Sequence, residues 1–161
     1  LVSPVRPPVI ILAKLVPYLL VGMINIVVIL LISVFILNVP IAGNIFLLFL
    51  VGTIFTLSSL ALGIMVSVLT KTQRSAIIIS IAGLMLPAIT LSGFIFPLGS
   101  LSLLMKVIVH LMPVTLFISA ARNIMIKGLG MDAVYPELFG LIVITVVLIV
   151  ISIKCFKNRL S

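Results

Sequence analysis

The chain has 161 residues, 64% of them hydrophobic and 7% charged, against about 25% charged in an ordinary soluble domain. So few polar groups cannot cover a globular surface in water, and a mean hydropathy of +1.61 excludes both disorder and a sizeable extramembrane domain. The net charge of +8, ten Lys and Arg against Asp132 and Glu137, sits in small groups flanking apolar runs, which points to lipid head groups and away from nucleic acid.

Residues 1–14 are rich in Pro and carry Arg6 and Lys14, with neither the charged n-region nor the cleavage site of a signal peptide. They are expected to be the end of a cytoplasmic loop, in a chain read as a fragment lacking its N-terminal part. Spanning about 30 Å of hydrocarbon takes about 20 helical residues, and four runs meet that length.

The first run covers 15–37 and ends at the turn Asn38-Val39-Pro40. The second covers 45–69 and stops at Thr70-Lys71-Thr72-Gln73-Arg74. Within it Ser59, Gly63 and Ser67 recur every four residues, a spacing that lets another helix approach closely, either within this chain or in an oligomer. The third covers 75–96 and holds Pro87, which is expected to kink it.

Residues 98–112 are apolar but contain Lys106 and His110 and are closed by Pro113. Fifteen residues reach only about 22 Å as a helix, which suits a re-entrant or interfacial element better than a crossing. The fourth span is expected over 138–156, entered through Tyr135-Pro136-Glu137, with an outer hairpin over 97–136 before it. Four crossings with the N-terminus inside place seven of the ten cations, Arg6, Lys14, Lys71, Arg74, Lys154, Lys157 and Arg159, on the cytoplasmic side. A fifth crossing would put the C-terminal basic cluster outside. The single Cys155 excludes an intramolecular disulfide and lies beside Lys154 at a reducing boundary. The expected fold is therefore an all-α polytopic helix bundle, with four transmembrane helices, an outer re-entrant hairpin and both ends cytoplasmic.

Chemistry is sparse. The four expected span interiors hold no ionisable residue of the kind that couples proton or sodium transport. Ser92 and His110 are the one nucleophile and base worth pairing, but Thr90 and Phe94 stand where a nucleophile elbow needs glycine. One His, one Cys and two acids do not make a metal site, and no Gly-Lys-Ser/Thr phosphate loop occurs. The chain is thus expected to be no enzyme, with no metal or cofactor of its own.

Four features in order resemble the C-terminal half of an ABC-2 type permease, the membrane subunit of one class of ATP-binding-cassette exporters. Ser3-Pro4-Val5-Arg6-Pro7 with Ile11-Leu12-Ala13-Lys14 is similar to the end of the loop before the family's third helix. Ser92-Gly93-Phe94-Ile95-Phe96-Pro97 is similar to the outer end of the fifth. Pro113-Val114-Thr115-Leu116-Phe117, and then Arg122 with Lys127-Gly128, are similar to the outer hairpin that leads to the last helix. Ala13 and Leu116 depart from the pattern, standing where Gly and an aromatic residue are expected.

The resemblance implies two six-helix permease halves, identical or not, forming the pathway. It implies a separate cytoplasmic ATPase using ATP and Mg, with export of a drug, lipid or glycan across the plasma or bacterial inner membrane. Pro4, Arg6 and Pro7 become candidates for receiving the ATPase's motion, and Pro113, Arg122 and Gly128 for shaping the hairpin. Arg122 either snorkels to phosphate head groups or pairs with Glu137. A non-transporting membrane scaffold is the rival reading. A passive channel would need more pore-lining polarity than Asn25, Ser33, Thr53, Thr56 and Ser59 offer.

Overall fold

Polar punctuation decides where the helices begin and end. A computed structural model of the chain describes residues 7–91 and 112–160, and the described residues are helices and short connections. Helix α1 runs Pro7–Phe35 and α2 runs Ile45–Leu69. The third span is composite, built of α3 (Gln73–Ile79), a π-helical turn (Ser80–Met85) and α4 (Leu86–Leu91). Helix α5 is Pro113–Met125 and α6 is Met131–Leu160.

The protein is an integral membrane protein of all-α type, and among the described residues four helices are long and apolar enough to cross a membrane. Helix α2 keeps the bounds expected from sequence because each end has a polar stop. Asn44 caps its start by accepting from the Phe46 N–H at 2.8 Å. Thr70 closes it, its N–H bonding to the Val66 carbonyl. Thr72 then caps α3, accepting from the Ser75 N–H at 3.2 Å, so the third span starts at Gln73, two residues before the expected position.

The first span starts at Leu15 as expected, while the helix that carries it reaches back to Pro7; Pro is tolerated in a first turn, where its missing N–H has no partner to lose. One boundary moves further. Helix α6 begins at Met131, seven residues before the expected span, and Pro136 lies inside it. In the second turn Pro136 forfeits one backbone bond, while Val134 on one side and Leu138 on the other are buried and hold the turn in place. Residues 92–111, which include Phe96, Pro97, Lys106, His110 and most of the expected interfacial run over 98–112, lie outside the described residues.

Van der Waals packing and interhelical hydrogen bonds are the main attractions between helices in lipid, and both are concentrated on α2. On one side α1 crosses it with small residues at the crossing points, Gly22 facing Thr56 and Gly52 facing Ile26. On the other side α6 runs parallel to α2, and the Ser58 and Thr145 hydroxyls meet in a buried hydrogen bond. Further along, the Ser152 hydroxyl donates to the Ala61 carbonyl at 3.3 Å. A core of Leu47, Leu48 and Val51 from α2, Leu116, Ala120 and Ile124 from α5, and Val134, Leu138 and Leu141 from α6 joins three elements at the end of the bundle nearer the α1–α2 loop. The third span, by contrast, buries no side chain between Gln73 and Met85.

Candidate re-entrant site and cavity

Helix α5 enters the bundle and does not cross it. Pro113 opens it, and its 13 residues would extend about 20 Å at 1.5 Å per residue. The Phe117 ring stacks on Phe55 of α2 with centroids 4.4 Å apart, and Leu116 lies over Gly140 of α6. At the other end the Met125 carbonyl accepts the Ala42 N–H at 3.0 Å, fastening α5 to the α1–α2 loop. Phe55 stands ten residues into α2, about 15 Å from its start. The N-terminus of α5 is therefore set beside the middle of α2 and its C-terminus at the loop end.

Two arrangements hold α5 in that pose. Gly128 follows it with φ of 62°, a left-handed conformation that glycine adopts at little cost, and sits close against Ala42. Along its flank, Glu137 Oε1 accepts from the Ser119 hydroxyl at 3.0 Å and from the Asn123 side-chain amide at 3.1 Å. One carboxylate thus grips two successive turns of α5. Among the described residues its buried Oε2 meets no hydrogen-bond partner, nor does the hydroxyl of Thr115, which is 2% exposed.

Glu137 lies in the second turn of α6, further along the helix than the entrance expected for it. Its hydrogen bonds come from Ser119 and Asn123, while Arg122 is exposed in the last turn of α5, where a cation is favourable to the helix dipole. Nothing in the sequence marked Ser119 and Asn123 except their spacing of four, which puts them on one face of a helix.

Between the N-terminal turn of α5, α2 and the third span lies a cavity of about 530 Å³. Helix α2 contributes Phe55, Ser59 and Leu62, and the start of α5 contributes Met112, Pro113 and Val114. The third span contributes Ser80, Leu84, Met85 and Ala88 from the π turn and α4. Among the described residues the lining holds no charge and two hydroxyls, those of Ser59 and Ser80, a surface that can desolvate an apolar body but not an ion.

The small-residue line on α2 faces outward. Ser59, Gly63 and Ser67 are all exposed, and among the described residues nothing comes within 4 Å of a Cβ built at Gly63. The face that α2 gives to α6 carries Ser58 and Ala61 instead. The hydroxyls of Thr53 and Thr56 are turned back on the carbonyls of Phe49 and Gly52, at 2.8 and 2.9 Å, which removes them from any pore lining. Of the candidates for coupling to an ATPase, Pro7 is the first residue of α1, and Pro4 and Arg6 lie outside the described residues. Pro113 stands at the cavity, Arg122 and Gly128 at the opposite end of α5. Among the described residues no group of three His, Cys, Asp or Glu comes together.

Comparison with known proteins adds the following. Residues 1–126 match the family model described as ABC-2 type transporter. The chain is 35% identical over 117 residues, 73% of its length, to the probable multidrug ABC transporter permease YbhS of Escherichia coli (strain K12), and covers 31% of that protein. It is 31% identical over 145 residues, 90% of its length, to the probable multidrug ABC transporter permease YbhR of the same organism, covering 39% of it. The ABC transporter G family member 20 of Dictyostelium discoideum is 32% identical over 151 residues, with 85% of this chain and 20% of that protein covered. The chain thus spans between a fifth and two-fifths of the length of these relatives. No solved structure matches it.

Proposed function

The chain belongs to the ABC-2 type transporter family, and on that premise we propose that it forms part of the translocation pathway of an ATP-driven exporter of apolar or amphiphilic molecules. The observation that carries the reading is the apolar cavity of about 530 Å³ at the inner end of a helix that stops halfway through the bundle. Its size falls in the range of about 300–1,000 Å³ typical of sites for drug-sized molecules. The uncharged lining favours the apolar part of an amphiphile, leaving a charged head to the membrane surface.

In this reading the chain does no chemistry of its own. ATP and Mg are used by a separate cytoplasmic ATPase, whose motion reaches the membrane through the segment around Pro4, Arg6 and Pro7. Beyond Ser59, which lines the cavity, the exposed Gly63 and Ser67 of the small-residue line support close approach by a second permease half, identical or not. Both ends of the chain are cytoplasmic in a plasma membrane or bacterial inner membrane, with Lys71, Arg74 and Lys154 on that side against anionic lipid.

The test is export of a lipophilic dye from vesicles carrying the full-length permease and its ATPase. Export should disappear when the ATPase is made unable to hydrolyse ATP, and should fall when Leu84→Trp fills the cavity. Dye movement that persists without hydrolysis would overturn the exporter reading. A membrane function that survives loss of the ATPase altogether would point to the scaffold, whose interaction face would be the same exposed line on α2.

A further inference from the structure

The wall that the third span gives to the cavity depends on a local irregularity. At about 100° per residue, an unbroken α-helix leaving Ser80 would carry Leu84, Ala88 and Met85 round to about 40°, 80° and 140° from it. Met85 would then face away from α2 and α5. The observed helix differs, because the Leu86 N–H bonds to the Ile81 carbonyl five residues back. Such a turn holds one residue more than an α turn and sets everything beyond it back by about 100°. Met85 comes to about 40° and Ala88 to about −20° on the same arithmetic, and all four side chains line the cavity together.

The cause of the irregularity lies in the span itself. In a plain α-helix the Pro87 ring would press on the carbonyl of Gly83, four residues back, which would also lose its donor. The wide turn lies immediately before Pro87 and includes Gly83, whose missing Cβ would meet only the side chain of Ile79, at 3.8 Å. No residue of α3 or of the wide turn is buried among the described residues, so the local cause, Pro87, is the one the structure shows.

We propose that this π turn is a register device. It fixes which side chains of the third span face the cavity, and it makes Met85 and Ala88 the specificity-determining residues for the apolar part of the cargo. The second half of the proposal rests on the cavity being the cargo site, as argued above; the first half does not. Met85 supplies an unbranched, adaptable wall that can follow different apolar shapes, and Ala88 sets the depth behind it.

Two readouts separate the halves. In the full-length permease in native membranes, with Cys155 and every other native cysteine replaced by Ser, a short bifunctional thiol reagent should join Ser59→Cys to Met85→Cys and not to Ile81→Cys. Deleting Ala82 takes the extra residue out and should preserve the Ser59–Met85 link, because the residues beyond keep their face. Gly83→Ala with Pro87→Ala favours a continuous α-helix at full length and should remove the link by turning Met85 away. A link unchanged in that double variant, or lost on deletion of Ala82, overturns the register device.

The second readout is the export ratio of two lipophilic dyes differing only in the length of one alkyl chain. Ala88→Met should disfavour the longer dye by about tenfold, the scale on which a pocket discriminates by a methylene, and Met85→Ala should shift the ratio the other way. An unmoved ratio with the links intact overturns the specificity role. A permease that exports neither dye while keeping the link pattern removes the exporter reading and the specificity role, and leaves the register in place.

Discussion

Gly43 is where a single methyl group should do most damage. The α1–α2 loop crosses the end of α5 there, and a Cβ would stand 2.5 Å from the Ile124 carbonyl oxygen and 3.0 Å from its Cγ2. Relieving that contact means lifting the loop by about 0.5–1 Å, since carbon atoms rest at about 3.5–4.0 Å. Such a shift stretches the Ala42–Met125 hydrogen bond, now 3.0 Å, out of bonding range, a loss of about 0.5–1.5 kcal/mol. It also loosens Ile124, which is fully buried in the three-helix core; a gap of that size forfeits a quarter to a half of its contact attraction on that side. Together these give Gly43→Ala a cost of about 2–3 kcal/mol, within the range of core perturbations.

The matched control is Gly63→Ala. Nothing among the described residues lies within 4 Å of its added Cβ, and replacing a helical glycine by alanine gains up to about 1 kcal/mol. Thermal loss of the monodisperse full-length permease in detergent should therefore move in opposite directions for the two variants, down for Gly43→Ala and level or slightly up for Gly63→Ala. Equal melting of both would refute the argument that the loop is pinned on α5. If the α2 face meets a second permease half, Gly63→Ala should in addition weaken assembly while leaving the isolated subunit intact, and crosslinking between subunits reads this separately.

The remaining predictions concern contacts between helices. Glu137→Ala strips the acceptor from Ser119 and Asn123 and should cost about 1–3 kcal/mol of thermal stability; Glu137→Gln keeps one carbonyl acceptor and should recover most of it. A Ser58→Ala, Thr145→Ala double-mutant cycle, read by the same melts, should return a coupling of about 0.6 kcal/mol and no more than about 1.7, the span measured for polar contacts in membranes. Gly128→Ala must hold an L-residue at a φ of 62° and should lose about 1–2 kcal/mol, whereas Gly128→Asn, better tolerated in that region, should lose less.

What the sequence made legible follows from where its polar residues fall. Helix α2 could be read to the residue because Asn44 and Thr70 stop it chemically. Helix α6 could not, because Pro136 reads as a boundary; in the structure it sits in a second turn that the burial of Val134 and Leu138 secures. The sequence marked 97–136 as a hairpin with Pro113 inside it, but the depth of the helix that Pro113 opens is set by Phe117 stacking on Phe55, 62 positions earlier, which no local pattern encodes. Pro87 signalled a break without revealing its form. The line Ser59, Gly63, Ser67 was visible, yet the adjacent positions Ser58 and Ala61 are the ones that α6 takes, since only there do hydroxyls and carbonyls from both helices meet.

These placements divide the bundle into two mechanical parts. Helices α2, α5 and α6 share one core and are joined by interhelical hydrogen bonds, the Glu137 grip and the stacked phenylalanines. The third span shares almost none of this, and its π turn has no buried residue to resist a change of shape. The cavity lies between the two parts, with a firm wall of α2 and α5 and a compliant one of α3, π turn and α4. A change in cavity width therefore costs least when the third span moves and α5 stays, because regions with few buried contacts open first. It follows that the residues governing what the cavity accepts belong on the compliant wall, at Leu84, Met85 and Ala88, while substitutions at Phe55, Phe117 and Glu137 should act on stability before they act on selectivity.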